Sequence, residues 1–174
     1  MVYRFFILLI SISASICEAK ALVPWEGVWK GSCEVTLDDP KAEKQILGME
    51  LKIGLKNEST YSWVVTYEGQ PARNYEMVRS ESDSNNWVLD EKNGIFIDKF
   101  YEPERQTLTS LYSVNGRFFS LVEKVEDRKM TFESRSFFVG GAKQSGIKNT
   151  NIVVGSHQRS IVQVCALEKQ VQKP

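Results

Sequence analysis

Leu47-Gly48-Met49-Glu50-Leu51-Lys52-Ile53-Gly54-Leu55 alternates large apolar residues with glycine and charged residues. Successive side chains of a β-strand point to opposite faces, so this period of two predicts a strand with one buried and one solvated face. The same alternation continues at Tyr61, Trp63, Val65 and Tyr67. No stretch sustains the i, i+3, i+4 spacing of an amphipathic helix, so we predict an all-β fold.

Turn signals divide the remaining chain at short intervals. Asn115-Gly116 is the strongest of them, because both central positions of a type I′ turn require a positive φ. Candidate strands lie near 28–37, 46–55, 60–68, 73–79, 86–90, 95–101, 107–114, 117–125, 128–138, 150–155 and 159–168.

These strands predict a single antiparallel up-and-down β-barrel of about eight to ten strands, since closure removes the exposed edges of an open meander. A sandwich is the alternative. A barrel of this size has room for a small ligand. The glycine-rich stretch 140–146 lacks the ending of a phosphate loop, and we predict a mobile flap at the barrel mouth.

The amino terminus has the features of a secretory signal peptide. Met1–Arg4 is cationic, Phe5–Ile16 is almost continuously apolar, and Ala19-Lys20-Ala21 provides an A-x-A end. The apolar run is about a dozen residues, shorter than the roughly 20 that a membrane-spanning helix needs.

We therefore predict a signal peptide over 1–21 and a lipocalin-like barrel domain over 22–174 that does not span a membrane. The location is secreted or periplasmic. A lipid anchor at Cys17 is disfavoured, because Ile16 is bulkier than the residue expected before a lipidated cysteine.

Two cysteines remain in the mature chain, Cys33 near its start and Cys165 near its end. In an oxidising compartment we expect them to form a disulfide, which requires Cα atoms about 4.4 to 6.8 Å apart and makes the first and last strands neighbours. Two buried free thiols are the alternative.

The chain has 22 basic and 22 acidic residues, so its formal net charge is zero. A protein without a strong positive field lacks the electrostatic attraction that drives nucleic-acid binding. We therefore exclude nucleic acid as a partner.

The first predicted strand begins with Trp25-Glu26-Gly27-Val28-Trp29-Lys30-Gly31. Its G-x-W resembles the start of the lipocalin and broader calycin barrels, and the further Gly31 is similar to the G-x-W-x-G of nitrobindin-type barrels. The resemblance implies that Trp29 closes the barrel floor and that a cavity binds a small apolar molecule, or haem in the nitrobindin type. The chain departs from many lipocalins in having no Thr-Asp-Tyr motif and no helix pattern before the last strand.

Aromatic residues make up 11% of the chain and fall mostly on alternating positions of the strands. Such residues line ligand cavities, with phenol hydroxyls to orient the ligand, or they fill a packed core. Our predicted ligand-binding residues are Trp29, Trp63, Tyr67, Tyr75, Trp87, Tyr112 and Phe132.

His157 is the chain's only histidine and follows Gly155-Ser156 at a predicted hairpin tip. We favour an exposed turn residue, and the nitrobindin resemblance implies an axial haem ligand as the alternative. No metal site is predicted from a single histidine. A serine or cysteine triad would need this same histidine, and no Gly-x-Ser-x-Gly elbow is present.

Carboxylates within predicted strands are the other route to catalysis. Two of them about 5 to 9 Å apart would suit glycoside hydrolysis, although solvated positions on the outer face are the favoured interpretation. The candidates are Glu50, Glu76, Asp98 and Glu123.

Phe96 and Phe100 have the opposite parity from Ile95 and Ile97, so this strand is predicted to be apolar on both faces. An apolar outer face indicates contact with a protein partner or a second copy.

The leading hypothesis is an exported, non-catalytic protein that binds a small hydrophobic molecule. The alternative is an interaction or inhibitor module with a filled barrel, and an enzyme with paired carboxylates comes third.

Overall fold

The structure is a computed structural model that describes residues 22–37, 39, 41–140, 143–146, 153–157 and 159–171. The predicted signal peptide and the lipid-anchor position Cys17 lie outside these ranges. Within the described ranges, no helix has the length and apolar character needed to cross a membrane.

The described part of the chain contains twelve strands and two short 3-10 helices, Val23–Trp25 and Pro103–Arg105. The strands are β1 (Gly27–Leu37), β2 (Gln45–Asn57), β3 (Thr60–Tyr67), β4 (Arg73–Arg79), β5 (Asn86–Asp90), β6 (Phe96–Glu102), β7 (Thr107–Val114), β8 (Arg117–Glu126), β9 (Lys129–Phe138), β10 (Lys143–Gly146), β11 (Val153–Ser156) and β12 (Arg159–Lys169).

Ten of these strands form a closed antiparallel barrel in which β1 to β9 follow in sequence and β12 closes the circle between β9 and β1. The prediction of an all-β, up-and-down barrel is confirmed, and the sandwich alternative is wrong. The described part of the strand expected near 150–155 is β11, which lies outside the barrel and pairs with β10 in a separate two-stranded sheet. The described part of the stretch predicted as a flap contains β10, and its mobility stays a prediction.

A disulfide between Cys33 and Cys165 joins the strands that close the barrel. The two residues are direct partners in the β1–β12 register, and both are fully buried. Their Cα atoms lie 3.9 Å apart, closer than the expected range. The predicted pairing is confirmed, and the free-thiol alternative is wrong.

The first 3-10 helix covers one end of the barrel, which we call the floor. Trp29 Nε1 donates a hydrogen bond of 2.7 Å to the Trp25 carbonyl oxygen. Lys169 reaches from the end of β12, donating to the Pro24 carbonyl oxygen at 3.2 Å and placing its Nζ 5.2 Å from the centre of the Trp29 ring. These contacts attach the first described residues of the chain to the last strand of the barrel.

Two glycines of the G-x-W-x-G stretch permit this closure. A Cβ on Gly31 would lie 1.9 Å from the backbone oxygen of Ala166 on β12, so no side chain fits there. Gly27 has a φ of +128°, a conformation that L residues rarely adopt.

The alternation that predicted β2 describes its middle well, because Met49, Leu51 and Ile53 are buried. Leu55 was also expected on the buried face, but it is 54% exposed. It lies towards the end of the long strand β2.

Candidate ligand-binding site

An internal cavity of about 300 Å³ lies in the half of the barrel away from the floor. The strands bring mainly apolar and aromatic side chains to it, together with a few charged and amide groups. The lining residues are Met49, Leu51, Trp63, Val65, Tyr67, Arg73, Tyr75, Leu89, Glu91, Ile97, Lys99, Tyr112, Phe119, Leu121, Glu123, Phe132, Ser134 and Gln163.

Five of the seven predicted ligand-binding residues line this cavity: Trp63, Tyr67, Tyr75, Tyr112 and Phe132. They come from β3, β4, β7 and β9, so the barrel assembles side chains that are distant in sequence. Their contact with a ligand stays a prediction.

Trp29 and Trp87 do not belong to the cavity lining. Trp29 is fully buried beneath the first 3-10 helix, in the floor position that the resemblance implied. The Trp87 ring packs against Tyr61 with centroids 5.7 Å apart, and the Arg79 guanidinium lies 5.9 Å from it. Parity predicted that both rings point inward, but it does not tell how far along the barrel axis they lie.

Polar groups gather towards the open end of the cavity, where β3 ends and β4 begins. Gln163 Nε2 donates a hydrogen bond of 2.9 Å to the Tyr67 hydroxyl. The Arg73 guanidinium lies 5.8 Å from the centre of the Tyr67 ring. Burial raises the pKa of the Tyr75 phenol above its ordinary value, and the negative charge of Glu91 acts in the same direction.

Tyr112 and Phe119 form a stacked pair in the cavity wall, with ring centroids 5.1 Å apart and an interplanar angle of 9°. Desolvation raises the pKa of the Tyr112 phenol, and the charges of Glu91 and Glu123 raise it further. Tyr112 is therefore a neutral hydroxyl over the physiological pH range.

An ion pair between Lys99 and Glu123 lies in the cavity wall, and only 2% and 3% of these residues are exposed. Sequence reasoning did not select Lys99, and the favoured outer-face interpretation is wrong for Glu123. The signal was available in the parity, because Lys99 shares a face with Ile97 and Tyr101, and Glu123 shares one with Val125.

The other three candidate carboxylates do not join Glu123. Glu50 binds Lys30 at 2.6 Å and Lys52 at 2.8 Å, which lowers its carboxyl pKa. Glu76 forms ion pairs elsewhere on the barrel surface, and Asp98 has the outward parity of β6. The structure therefore brings no two of these four carboxylates together as a catalytic pair.

His157 is exposed, and its Nδ1 lies 2.9 Å from the Phe138 carbonyl oxygen. It borders a shallow apolar pocket with Phe118, Phe137, Phe138 and Val139, separate from the barrel cavity. Because it is the chain's only histidine, the residues of the barrel cavity do not fit a histidine-ligated haem.

The outer wall carries exposed apolar side chains, as the parity of β6 predicted. Phe96 and Phe100 are 66% and 47% exposed, whereas Ile97 on the same strand is buried. Phe100 also borders an outer groove with Leu111 and Lys99. Lys99 thus touches both the groove and the cavity, at a place where β6 pairs with β7 only through Phe100–Glu102.

The closed barrel, its tryptophan floor and its internal cavity define the lipocalin-like, calycin-type fold that the sequence resemblance predicted. No protein-family model matches the chain, and no curated protein sequence matches it. Solved structures do match it.

A DUF3598-family protein of unknown function from Nostoc punctiforme has a TM-score of 0.63 and 11% identity, with 87% of this chain and 49% of that chain covered. The chain thus spans about half the length of that protein. The S-type phycobiliprotein lyase CPES from Guillardia theta has a TM-score of 0.55 and 7% identity, covering 87% and 92% of the two chains. Rv2717c from M. tuberculosis has a TM-score of 0.54 and 11% identity, covering 86% and 95%. At these identities the similarity establishes the fold alone.

Proposed function

We propose that the chain is an exported protein that holds a small hydrophobic molecule in its barrel cavity without converting it. The observation that carries this proposal is the cavity of about 300 Å³ lined by Trp63, Tyr112 and Phe132 among other apolar residues. Cavities of this composition, with a few fixed polar groups, are the usual form of small-molecule sites.

The size of the cavity restricts the ligand. Ligand pockets range from roughly 300 to 1,000 Å³, so this one favours a molecule at the small end of that range. Transfer of apolar ligand surface out of water supplies roughly 25 cal/mol per Å² towards affinity. The Tyr67–Gln163 hydrogen bond and Arg73 then offer polar groups near the opening that orient the ligand.

Export is supported by the Cys33–Cys165 disulfide, because disulfides persist in oxidising compartments and are rare in the cytosol. The apolar start of the chain has the features of a signal peptide and also supports export. Secretion or periplasmic location is part of the proposal.

Organic extraction and native mass spectrometry of the purified mature protein test the binding role. A copurifying small molecule, released by extraction and absent from the Ser134→Phe variant, is the expected result. Thr131→Phe is the matched control, because Thr131 lies on the same strand with its side chain exposed outside the barrel.

A ligand panel covers the case in which nothing copurifies. Fatty acids, retinoid-like compounds and haem are added separately, and the melting temperature is measured. At least one apolar compound should raise it, whereas no rise with any compound contradicts the proposal. Haem binding would give a Soret band, and its loss in His157→Ala would locate the haem at the outer pocket instead.

Chemical conversion is measured in the same samples, since one structural neighbour is a phycobiliprotein lyase. Recovery of the bound molecule unchanged after prolonged incubation is expected. Turnover that disappears in Glu123→Gln would contradict the non-catalytic part of the proposal and leave the binding part intact.

A second candidate function is favoured by the outer wall. Phe100 and Leu111 border one outer groove and are 47% and 62% exposed, an arrangement suited to an interaction with another protein. Polar replacement of both residues would abolish such an interaction and leave ligand binding in the barrel unchanged.

A further inference from the structure

A charged pair forms part of an otherwise largely apolar cavity wall. The Lys99 ammonium donates to Glu123 Oε2, and its Nζ lies 6.0 Å from the centre of the Trp63 ring. Both residues are almost completely buried and both line the cavity. A molecule in the cavity therefore meets one positive and one negative group side by side.

Stability does not explain this pair. Moving two charges out of water is expensive, and replacing a buried ion pair by apolar residues of similar volume is often neutral or stabilising. The strands β6 and β8 could carry leucine or methionine at both positions within the same barrel. The presence of the two charges is therefore better explained by a contact with a molecule in the cavity.

The pair also has hydrogen-bonding capacity to spare. A lysine ammonium has three donors and a carboxylate has two acceptor oxygens, whereas their mutual bond uses one of each. Nearby, the Ser110 hydroxyl is buried without a hydrogen-bond partner among the described residues. Ser110 follows Thr109, the partner of Phe100, so continuing that register places it across from Lys99.

We propose that the inner end of the ligand carries a neutral group with an adjacent acceptor and donor, of the carboxamide type. Its carbonyl oxygen accepts from Lys99 and its N–H donates to Glu123, so the ion pair remains intact. A ligand carboxylate would leave a net negative charge in the apolar interior, which desolvation opposes. This inference rests on the proposed binding function and names the chemical class of its ligand.

Three compounds with one apolar body separate the possibilities: naphthalene, 2-naphthamide and 2-naphthoate. Isothermal titration calorimetry of the oxidised mature protein gives the three dissociation constants. Two added hydrogen bonds predict that naphthamide binds roughly tenfold or more tightly than naphthalene. Naphthoate should bind more weakly than naphthamide.

Each outcome with the unmodified protein is decisive. Failure of all three compounds to bind overturns the proposed binding function for ligands of this size, and the inference with it. Naphthalene binding as tightly as naphthamide or tighter overturns only the inference. Naphthoate binding most tightly overturns the neutral-group assignment, because the carboxylate would then pair with a cationic group of the cavity, Lys99 or Arg73.

Two variants test the assignment to this pair. Lys99→Met with Glu123→Leu should remove the preference for naphthamide, whereas the exposed pair variant Lys124→Met with Glu126→Gln on the same region of β8 should keep it. Glu123→Gln leaves Lys99 without its counter-ion and should reverse the preference, so that naphthoate binds most tightly. An unchanged preference in these cavity variants would overturn the assignment, and the measurements on the unmodified protein stand even if one variant fails to fold.

Discussion

Cys33 and Cys165 are separated by 132 residues in sequence, yet they face each other across the seam between β1 and β12. Their disulfide is fully buried, and Cys33 Sγ lies 3.4 Å from Met49 Sδ. The covalent link thus sits inside the barrel, where the hydrogen-bonded β1–β12 ladder shields it.

Loss of this disulfide should destabilise the barrel without opening it. Cys33→Ala with Cys165→Ala is expected to lower the free energy of unfolding by about 2 to 5 kcal/mol, because the unfolded chain regains the freedom of a long loop. Urea unfolding of the oxidised protein and the variant measures the difference. Reductant should leave the variant unaffected, and equal stability of the two proteins would contradict the prediction.

Gly31 should be intolerant of any side chain. In Gly31→Ala the new Cβ meets the Ala166 backbone oxygen, and both strands are held in register, so we expect a loss of at least about 2 kcal/mol. Gly140→Ala is the control, because a Cβ there has no neighbour within 4 Å. A Gly31→Ala protein as stable as the Gly140→Ala protein would show that the seam can move apart.

The sequence predicts which strands form the barrel better than it predicts which side chains line the cavity. Alternation tells which face of a strand is buried, and the cysteines tell which strands meet, so strand order and closure followed. Position along the barrel axis is a different quantity. Trp87 and Tyr75 have equally inward parity, but only Tyr75 reaches the cavity, because the floor half is packed with tryptophan rings.

The charged residues of the cavity were missed for a related reason. A glutamate in a strand is usually solvated, and Glu50 and Glu76 follow that rule. Glu123 departs from it because a lysine from β6, distant in sequence, supplies the counter-charge. Such a partnership between strands that are not neighbours in the barrel cannot be derived from either strand alone.

Removing one member of the buried pair should be far more damaging than removing both. Lys99→Met leaves the Glu123 charge uncompensated, and we expect a loss of about 3 to 5 kcal/mol in the free energy of unfolding. Adding Glu123→Leu should restore most of that loss. Urea unfolding of the single and double variants provides the comparison.

The exposed Lys124–Glu126 pair on β8, the strand that carries Glu123, supplies the reference for that experiment. Lys124→Met should change the free energy of unfolding by less than about 1 kcal/mol, because solvent screens the pair. If Lys99→Met lowers the free energy of unfolding as little as Lys124→Met, the Glu123 charge is not left uncompensated, and the prediction is contradicted.

Tyrosines in the barrel should make it sensitive to alkaline pH. The pKa values of Tyr75 and Tyr112 are raised in the folded state, so the native protein keeps their protons when the unfolded chain begins to lose them near pH 10. Their contribution to stability is therefore constant below about pH 10 and declines as the pH rises through the folded values. Urea unfolding across this range, with tyrosinate absorbance, follows both events.

Tyr112→Phe isolates one of these phenols. Above about pH 10 the variant should lose stability less steeply than the unmodified protein, since the phenylalanine cannot ionise. Parallel stability curves over the whole range would contradict a raised pKa at Tyr112.

Filling the cavity should abolish binding while the barrel survives. Ser134 lines the cavity on β9, so the ring of Ser134→Phe occupies space that a ligand would need. Because about 300 Å³ is available, the ring can enter with little strain, and the melting temperature should stay the same or rise. Affinity for any cavity ligand should fall at least about tenfold, which corresponds to roughly 1.4 kcal/mol. Thr131→Phe places the same ring outside the barrel and should leave affinity unchanged. Equal affinity in both variants would mean that the ligand binds outside the cavity. The outer groove at Phe100 and Leu111 would then be the next position to test.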